Sequence, residues 1–421
     1  MKHFSFSVEA TDTTTQARAG VIRTAHGFIR TPAYVPVGTQ ATVKSLTPDE
    51  LSKLGVQVFF VNTYHTYLRP GVDIIEKFGG LHAFMAWDKP LMTDSGGFQV
   101  FSLARGRSFM KRDAGRGTSD VGVTSPLARI ADGGVTFRSH WDGSLHHFTP
   151  EKSIELQHRL GADIILTFDD CTPYPATREQ ARDSMERTHS WAQRSLQRHQ
   201  TLKMKNEKVQ KYLPALFGVV QGSVYKDLRI ASARFISSLS VDGIAIGGVS
   251  VGEDKAEMER VVSWVVPHLP VRMPRHLLGV GEIDDIFTIV SYGIDTFDCV
   301  APTRLARMGH LYTKKSNMKD PSGPDQRQIL NNNTMKFTID ITHASFARDR
   351  APIDPDCTCS ACRTFSRAYI HHLFRVRELL AYRLATIHNV HFVMNLVRTI
   401  REAIQDGSFL ALKRNWLYND N

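Results

Sequence analysis

Phe297-Asp298-Cys299-Val300-Ala301-Pro302-Thr303-Arg304 closes the eighth of eight short apolar segments along the chain. Most of these segments end in a glycine or a polar residue. The other ends include Asp94, Asp169, Gln221 and Gly247-Gly248. A single Asp after a strand is ordinarily a helix cap or a turn residue. Carboxylates, amides and glycines recurring at successive strand ends suit a barrel whose working loops gather at one rim.

Working outward, the candidate strands fall at 34–37, 56–62, 90–93, 163–168, 215–220, 243–246, 276–280 and 295–297. They are rich in Val, Ile, Leu and Phe and mostly lack alternation, as expected of strands buried on both faces. Most are separated by segments of helical period or composition. Thr149-Pro150-Glu151-Lys152 reads as a helix start. Thr149 suits the N-cap and Pro150 the first turn, while Lys152 leaves the capping box incomplete. Residues 177–200 read as a long polar helix and 284–292 as a shorter one. Eight such alternations predict an α/β fold, a (β/α)8 TIM barrel, in preference to an open doubly wound sheet.

The chain has 421 residues, 42% hydrophobic and 22% charged, which suits one large barrel with an appendage. No run of 18 or more apolar residues occurs, so no membrane span is expected. The N-terminus, Met1-Lys2-His3-Phe4-Ser5-Phe6, lacks an apolar signal core, and a cytoplasmic location is expected. The net charge is +10. Basic residues concentrate at 104–129, 194–211 and 304–315, a distribution that suits a polyanionic partner.

Two stretches break the rhythm. The first, 104–130, holds five basic and two acidic residues between Ala104 and Asp120, with Gly106, Gly115 and Gly117. It reads as an insertion after the third strand. The second, 314–333, has Lys314-Lys315, Pro321, Gly323, Pro324 and three consecutive Asn, and reads as another loop. Beyond it the sequence Cys357-Thr358-Cys359-Ser360-Ala361-Cys362 presents three thiols from a tight loop. Five cysteines in this length do not make a disulfide framework. Three thiolates call for a fourth zinc ligand, of which His is the expected type. An iron–sulfur cluster is the rival, weakened by the lack of a fourth local Cys. His371, His372, His388 and His391 all lie in the helical tail, and spacing alone does not choose among them. Such a zinc would be structural, with no open position for catalysis.

These residues together resemble the bacterial tRNA-guanine transglycosylases over nearly the full chain. Thr93-Asp94-Ser95-Gly96-Gly97-Phe98-Gln99-Val100 is similar to the family's DSGG(F/Y)Q signature. Phe168-Asp169-Asp170-Cys171-Thr172-Pro173-Tyr174-Pro175 resembles its FDECTPYP segment. Gly218-Val219-Val220-Gln221-Gly222, Gly247-Gly248-Val249-Ser250-Val251-Gly252-Glu253 and the Asp298 stretch follow in family order. The three cysteines match as well, and the resemblance makes His388 the fourth zinc ligand, 26 residues after Cys362.

The resemblance implies exchange of the wobble guanine in G-U-N anticodon tRNAs for 7-aminomethyl-7-deazaguanine (preQ1), the committed step toward queuosine. It implies that Asp298 is the nucleophile toward C1′ and Asp94 the general acid/base. Carboxylates suit the oxocarbenium-like centre of glycosidic cleavage. Asp169, Gln221, Gly247 and Gly248 would read the base edge, with Phe98 and Leu278 covering its faces. The Val249 carbonyl would receive the aminomethyl group. Cys171 and Val251 stand where relatives that take the bulkier queuine tend to have Val and Gly, which favours the small base. Arg304 and Arg307 match RNA-contacting positions. A homodimer is implied, with Phe84, Phe365, Tyr369 and His372 aligned to its aromatic interface.

The chain departs from the family at Glu282, where many relatives have Lys, and a carboxylate there would repel a phosphate. The basic residues of the first insertion are expected to supply tRNA contacts instead. A non-catalytic accessory subunit would be expected to lose catalytic carboxylates, and this chain keeps Asp94, Asp169 and Asp298. A DNA-modifying relative is the remaining alternative. The expected division is a barrel over 1–303, with the insertion at about 104–130, and a zinc-binding helical subdomain over 304–421.

Overall fold

A computed structural model describes residues 4–97, 128–208, 213–314 and 337–418. Both insertions lie almost wholly outside these residues. The eight apolar runs form one closed barrel of parallel strands, taken in chain order. The strands are Ala33–Gly38, Phe59–Val61, Leu91–Thr93, Ile164–Leu166, Ala215–Val220, Gly243–Ile246, Arg275–Leu277 and Thr296–Cys299. The last pairs with the first, Asp298 opposite Val35, which closes the ring.

The missing alternation has its cause here. Val35, Val37, Phe60, Met92, Ile164, Leu166, Phe217 and Val219 fill the barrel interior. Their neighbours Tyr34, Phe59, Val61, Leu91, Ile165 and Leu216 pack outward under the helices. Both faces of each strand are therefore apolar. Thr149 caps the helix Pro150–Leu160, accepting from the Lys152 N–H at 3.2 Å. The long helix runs Arg178–Lys208, and Thr177 and Gln180 form a reciprocal capping box before it.

Three elements go beyond the sequence reading. An antiparallel sheet of Ser5–Thr11, Arg18–Thr24 and Gly27–Thr31 precedes the barrel. Its Ile22 and Ile29 join the barrel interior, and Phe4 meets Phe217 edge-on at 6.0 Å. Arg18 pairs with Asp295, which leads into the eighth strand, so the sheet stops the N-terminal mouth. At the same end, His26 and His82 stack at 3.7 Å and both bond the buried Asp163 carboxylate. A second antiparallel sheet, Ala128–Ala131, Gly134–Arg138 and Leu145–Phe148, follows the first insertion. A two-stranded ribbon pairs His310–Tyr312 with Thr338–Asp340.

The C-terminal part is helical. Ser360–Thr364 and Arg367–Arg375 lead into Leu379–Asp406 and Phe409–Leu417. The helix Leu379–Asp406 packs on Ala301–Met308, which directly follows the eighth strand. Asn389 fastens the two. Its amide donates to the Pro302 and His310 carbonyls at 3.1 and 3.0 Å, and its oxygen accepts from Tyr312 N–H. No helix among the described residues is long and apolar enough to cross a membrane.

Candidate active site at the C-terminal mouth of the barrel

Strands three to eight each end in a residue singled out from sequence. Asp94 follows Leu91–Thr93 directly, and Gln221 follows Ala215–Val220. Asp169 lies just beyond Ile164–Leu166, Gly247 and Gly248 after Gly243–Ile246, and Leu278 after Arg275–Leu277. Asp298 sits within Thr296–Cys299. Phe98 lies outside the described residues.

Asp94 is 9% exposed and firmly held. Its Oδ1 accepts from Thr63 N–H at 2.7 Å and its Oδ2 from the Asn62 amide. Asn62 and Thr63 come from the end of the second strand, a contribution no motif announced. From behind, the helix Pro150–Leu160 braces the loop. Ser153 Oγ donates to the Ser95 carbonyl at 2.7 Å, and Gln157 Oε1 accepts from Thr93 Oγ1 and Leu166 N–H.

Asp169 joins two of these loops. Its Oδ1 accepts from Ser95 Oγ at 2.9 Å and its Oδ2 from Gln221 Nε2 at 2.8 Å. Burial pushes its carboxyl up to about 6, the bonds from Gln221 and Ser95 opposing. Glycine is demanded around this pair by close approach. A Cβ on Gly97 would lie 2.5 Å from the Asp169 carbonyl, and one on Gly248 2.4 Å from Gln221 Oε1. Gly248 also holds φ +63°. Cys171 and Val251 touch each other beside Tyr174, all in one small apolar cluster. Val249 is buried, and Leu278 packs against the barrel interior.

Asp298 is anchored through one oxygen. His276 Nε2 approaches Oδ1 at 3.2 Å and Gly279 N–H donates to it at 3.1 Å. His276 is fully buried, and its Nδ1 meets Thr296 Oγ1 at 2.9 Å. With Thr296 donating, His276 presents N–H to the carboxylate. Among the described residues Oδ2 takes no hydrogen bond. His276 is not legible as a site residue because it opens its apolar run with no motif spacing around it.

Arg304 and Arg307 stand on Ala301–Met308, the first exposed and the second half-buried, with Arg307 donating to the Thr303 carbonyl at 2.6 Å. At the departing position, Glu282 pairs with Lys255 at 2.7 Å, and the same ammonium meets Asp284 and Asp285. A lysine thus stands against position 282 from the first turn of the helix Lys255–Val265.

The cysteine run and His388 converge. The Sγ atoms of Cys357, Cys359 and Cys362 and a ring nitrogen of His388 lie within 4.8 Å of one another. His388 is fully buried with Nδ1 facing Cys362 Sγ at 3.3 Å. Its Nε2 donates to the Tyr312 carbonyl at 2.6 Å, which fixes the tautomer that leaves Nδ1 for a metal. Three soft thiols and one imidazole fit a tetrahedral zinc ion. Of the four tail histidines, geometry selects His388.

A family model described as queuine tRNA-ribosyltransferase matches residues 12–421. The chain belongs to this family. A queuine tRNA-ribosyltransferase of Roseiflexus sp. (strain RS-1) is 46% identical over 418 residues, 98% of this chain and 99% of that protein. Proteins of the same name from Desulforudis audaxviator (strain MP104C) and Thermoanaerobacter sp. (strain X514) are 44% and 45% identical. They cover 98% and 96% of this chain, and 97% and 94% of their own lengths. Membership makes the chain a pentosyltransferase, and the barrel mouth just described is its candidate active site.

Proposed function

We propose that the chain exchanges the wobble guanine of G-U-N anticodon tRNAs for preQ1, through a covalent Asp298–ribose intermediate. The observation that carries the reading is the asymmetry of Asp298. His276 and Gly279 hold Oδ1. Oδ2, which takes no hydrogen bond among the described residues, can then attack C1′.

In the first half, Oδ2 bonds to C1′ as the C1′–N9 bond breaks, and the electron pair leaves on guanine. Asp94 delivers a proton to the departing base. In the second half, Asp94 takes the N9 proton of the incoming base, and N9 displaces the Asp298 carboxylate from C1′. Two displacements retain configuration and leave the strand uncut. The target nucleotide must be unstacked from the anticodon loop to reach the buried pocket.

Recognition follows from the donors and acceptors present. Ionised Asp169 accepts from N1–H and the exocyclic amine. Gln221 Nε2 and the Gly248 N–H face the O6 side, and the Val249 carbonyl takes the aminomethyl ammonium. The contact of Cys171 with Val251 closes space a larger substituent would need. Arg304 and Arg307 meet the RNA beside the target. Zinc on Cys357, Cys359, Cys362 and His388 cross-links the tail and takes no part in the chemistry.

A homodimer belongs to the same reading. Phe365 and Tyr369 stack at 5.3 Å, and Tyr369 and His372 are exposed. Labelled guanine offered to zinc-loaded protein with an unmodified G-U-N tRNA tests the exchange. Incorporation into that tRNA, with none into a matching DNA hairpin, is the expected result. Absence of incorporation into the tRNA would overturn it.

A further inference from the structure

Arg229 buries its guanidinium completely. It lies on Lys226–Ser238, the helix after the fifth barrel strand. Among the described residues no carboxylate pairs with it. Four backbone carbonyls surround it instead. Nε donates to Ser223 at 2.5 Å, one terminal nitrogen to Gly247 at 2.7 Å and Val220 at 3.3 Å, and the other to Gly248 at 2.7 Å. Burial pulls its pKa down to about 10, so it stays a cation at neutral pH. Glu253 attracts it only from beyond ion-pair distance, and a buried cation with no directly paired carboxylate is a costly way to fill space.

The geometry of the peptide says what the arrangement achieves. In a planar trans unit the N–H points away from the carbonyl before it. Arg229 grips the carbonyls of Gly247 and Gly248, so the N–H groups of Gly248 and Val249 face the other way. Neither donates a hydrogen bond among the described residues. Val249 is 3% exposed and Gly248 half-buried, so the Val249 donor in particular sits unpaired where water is scarce. Successive free N–H groups at a left-handed glycine form a concavity for a negative atom. Gly248 holds that conformation at φ +63°, with the Gln221 amide against it.

We infer that Arg229 is a positioning residue for base recognition, aiming the Gly248 and Val249 N–H groups as a fixed donor pair at the 6-carbonyl of the base. The inference rests on the base-exchange reading and deepens it. The cation behind the two peptides polarises both in the same sense, which strengthens the donors. A 6-amino purine would set donor against donor and be rejected, while a 6-oxo base satisfies both groups.

The test compares Arg229→Gln and Arg229→Lys with the wild type, each zinc-loaded and checked for folding by thermal melt and for tRNA binding. Guanine KM and kcat are measured, together with the preference for guanine over 6-thioguanine, whose sulfur is a poor acceptor. In Arg229→Gln the guanine KM should rise about tenfold or more, with kcat less affected. The preference for guanine should shrink toward unity, and Arg229→Lys should restore part of it by holding one carbonyl. General loosening would weaken both bases alike, so an unchanged preference in both variants overturns the inference. If Arg229→Gln does not fold, Arg229→Lys alone must show the reduced preference. Wild-type protein that neither exchanges nor binds guanine would sink the base-exchange reading itself, and the inference with it.

Discussion

Asp298 and Asp94 are the same residue type at two strand ends, and their hydrogen bonds divide their work. Both oxygens of Asp94 accept hydrogen bonds, from Thr63 and Asn62, which holds its carboxyl in one place for the proton transfers proposed for it. Asp298 has only Oδ1 held, by His276 and Gly279, and its Oδ2 takes no hydrogen bond among the described residues. Asp298→Ala should therefore abolish the covalent RNA adduct on denaturing gels and lower kcat by about 10³-fold or more. A surviving adduct would remove Asp298 from the nucleophile's role. Asp169 makes a pH prediction. Burial holds its carboxyl near 6, above the ordinary 3.8, so the ionised form is less favoured in the folded protein. That group alone makes the ligand-free protein gain stability as pH falls through 6. Base recognition as proposed uses the ionised form, so guanine KM should rise about tenfold per pH unit below 6. Asp169→Asn should flatten the profile and raise KM at every pH. At this scale the motifs exposed the carboxylates, Gln221 and the glycines. They did not expose Asn62, His276 or Arg229, which are isolated polar residues whose roles arise only when distant strand ends meet.

Elements were legible where burial was simple. The barrel strands Ala215–Val220 and Gly243–Ile246 coincide with their apolar runs because every residue in them is buried, on both faces, and the runs end in glycine or polar residues. The N-terminal sheet was missed because Ser5–Thr11 alternates exposed and half-buried residues, too weakly apolar to stand out. Its turn at Thr24–Gly27 also lacks an Asn-Gly or Asp-Gly signal. Helix starts were readable from cap chemistry, and Thr149 is the case that matters to the site. The helix it caps carries Ser153 and Gln157, which brace the Asp94 loop. Thr149→Ala should cost about 1 kcal/mol, read as a fall in Tm of roughly 2–4 °C. Guanine KM should change little, because the Gln157 bonds to Leu166 persist without the cap. A loss of activity out of proportion to the Tm change would mean that the cap itself orders the Asp94 loop.

Across the whole molecule, the cysteine–histidine cluster that would hold the metal and the barrel mouth are joined by consecutive residues of one helix. His388 faces the three thiols, and Asn389 holds the Pro302 carbonyl at the start of Ala301–Met308. That helix begins where the strand of Asp298 ends and carries Arg304 and Arg307. The Tyr312 carbonyl that fixes His388 belongs to the ribbon leaving the same helix. Losing the metal would free His388 and the three thiols, and the helix Leu379–Asp406 would lose its fixed register against Ala301–Met308. The pocket of Asp169, Gln221 and Gly248 is tied to other strands and should be little disturbed. Removing the metal with a chelator, or substituting His388→Ala, should therefore lower Tm by roughly 5 °C or more. The tRNA KM should rise several-fold while the KM for free guanine stays within about twofold, since one ligand uses the arginine helix and the other does not. Equal changes in both constants would show that the metal supports the barrel as a whole, and an unchanged tRNA KM would break the proposed link through Asn389.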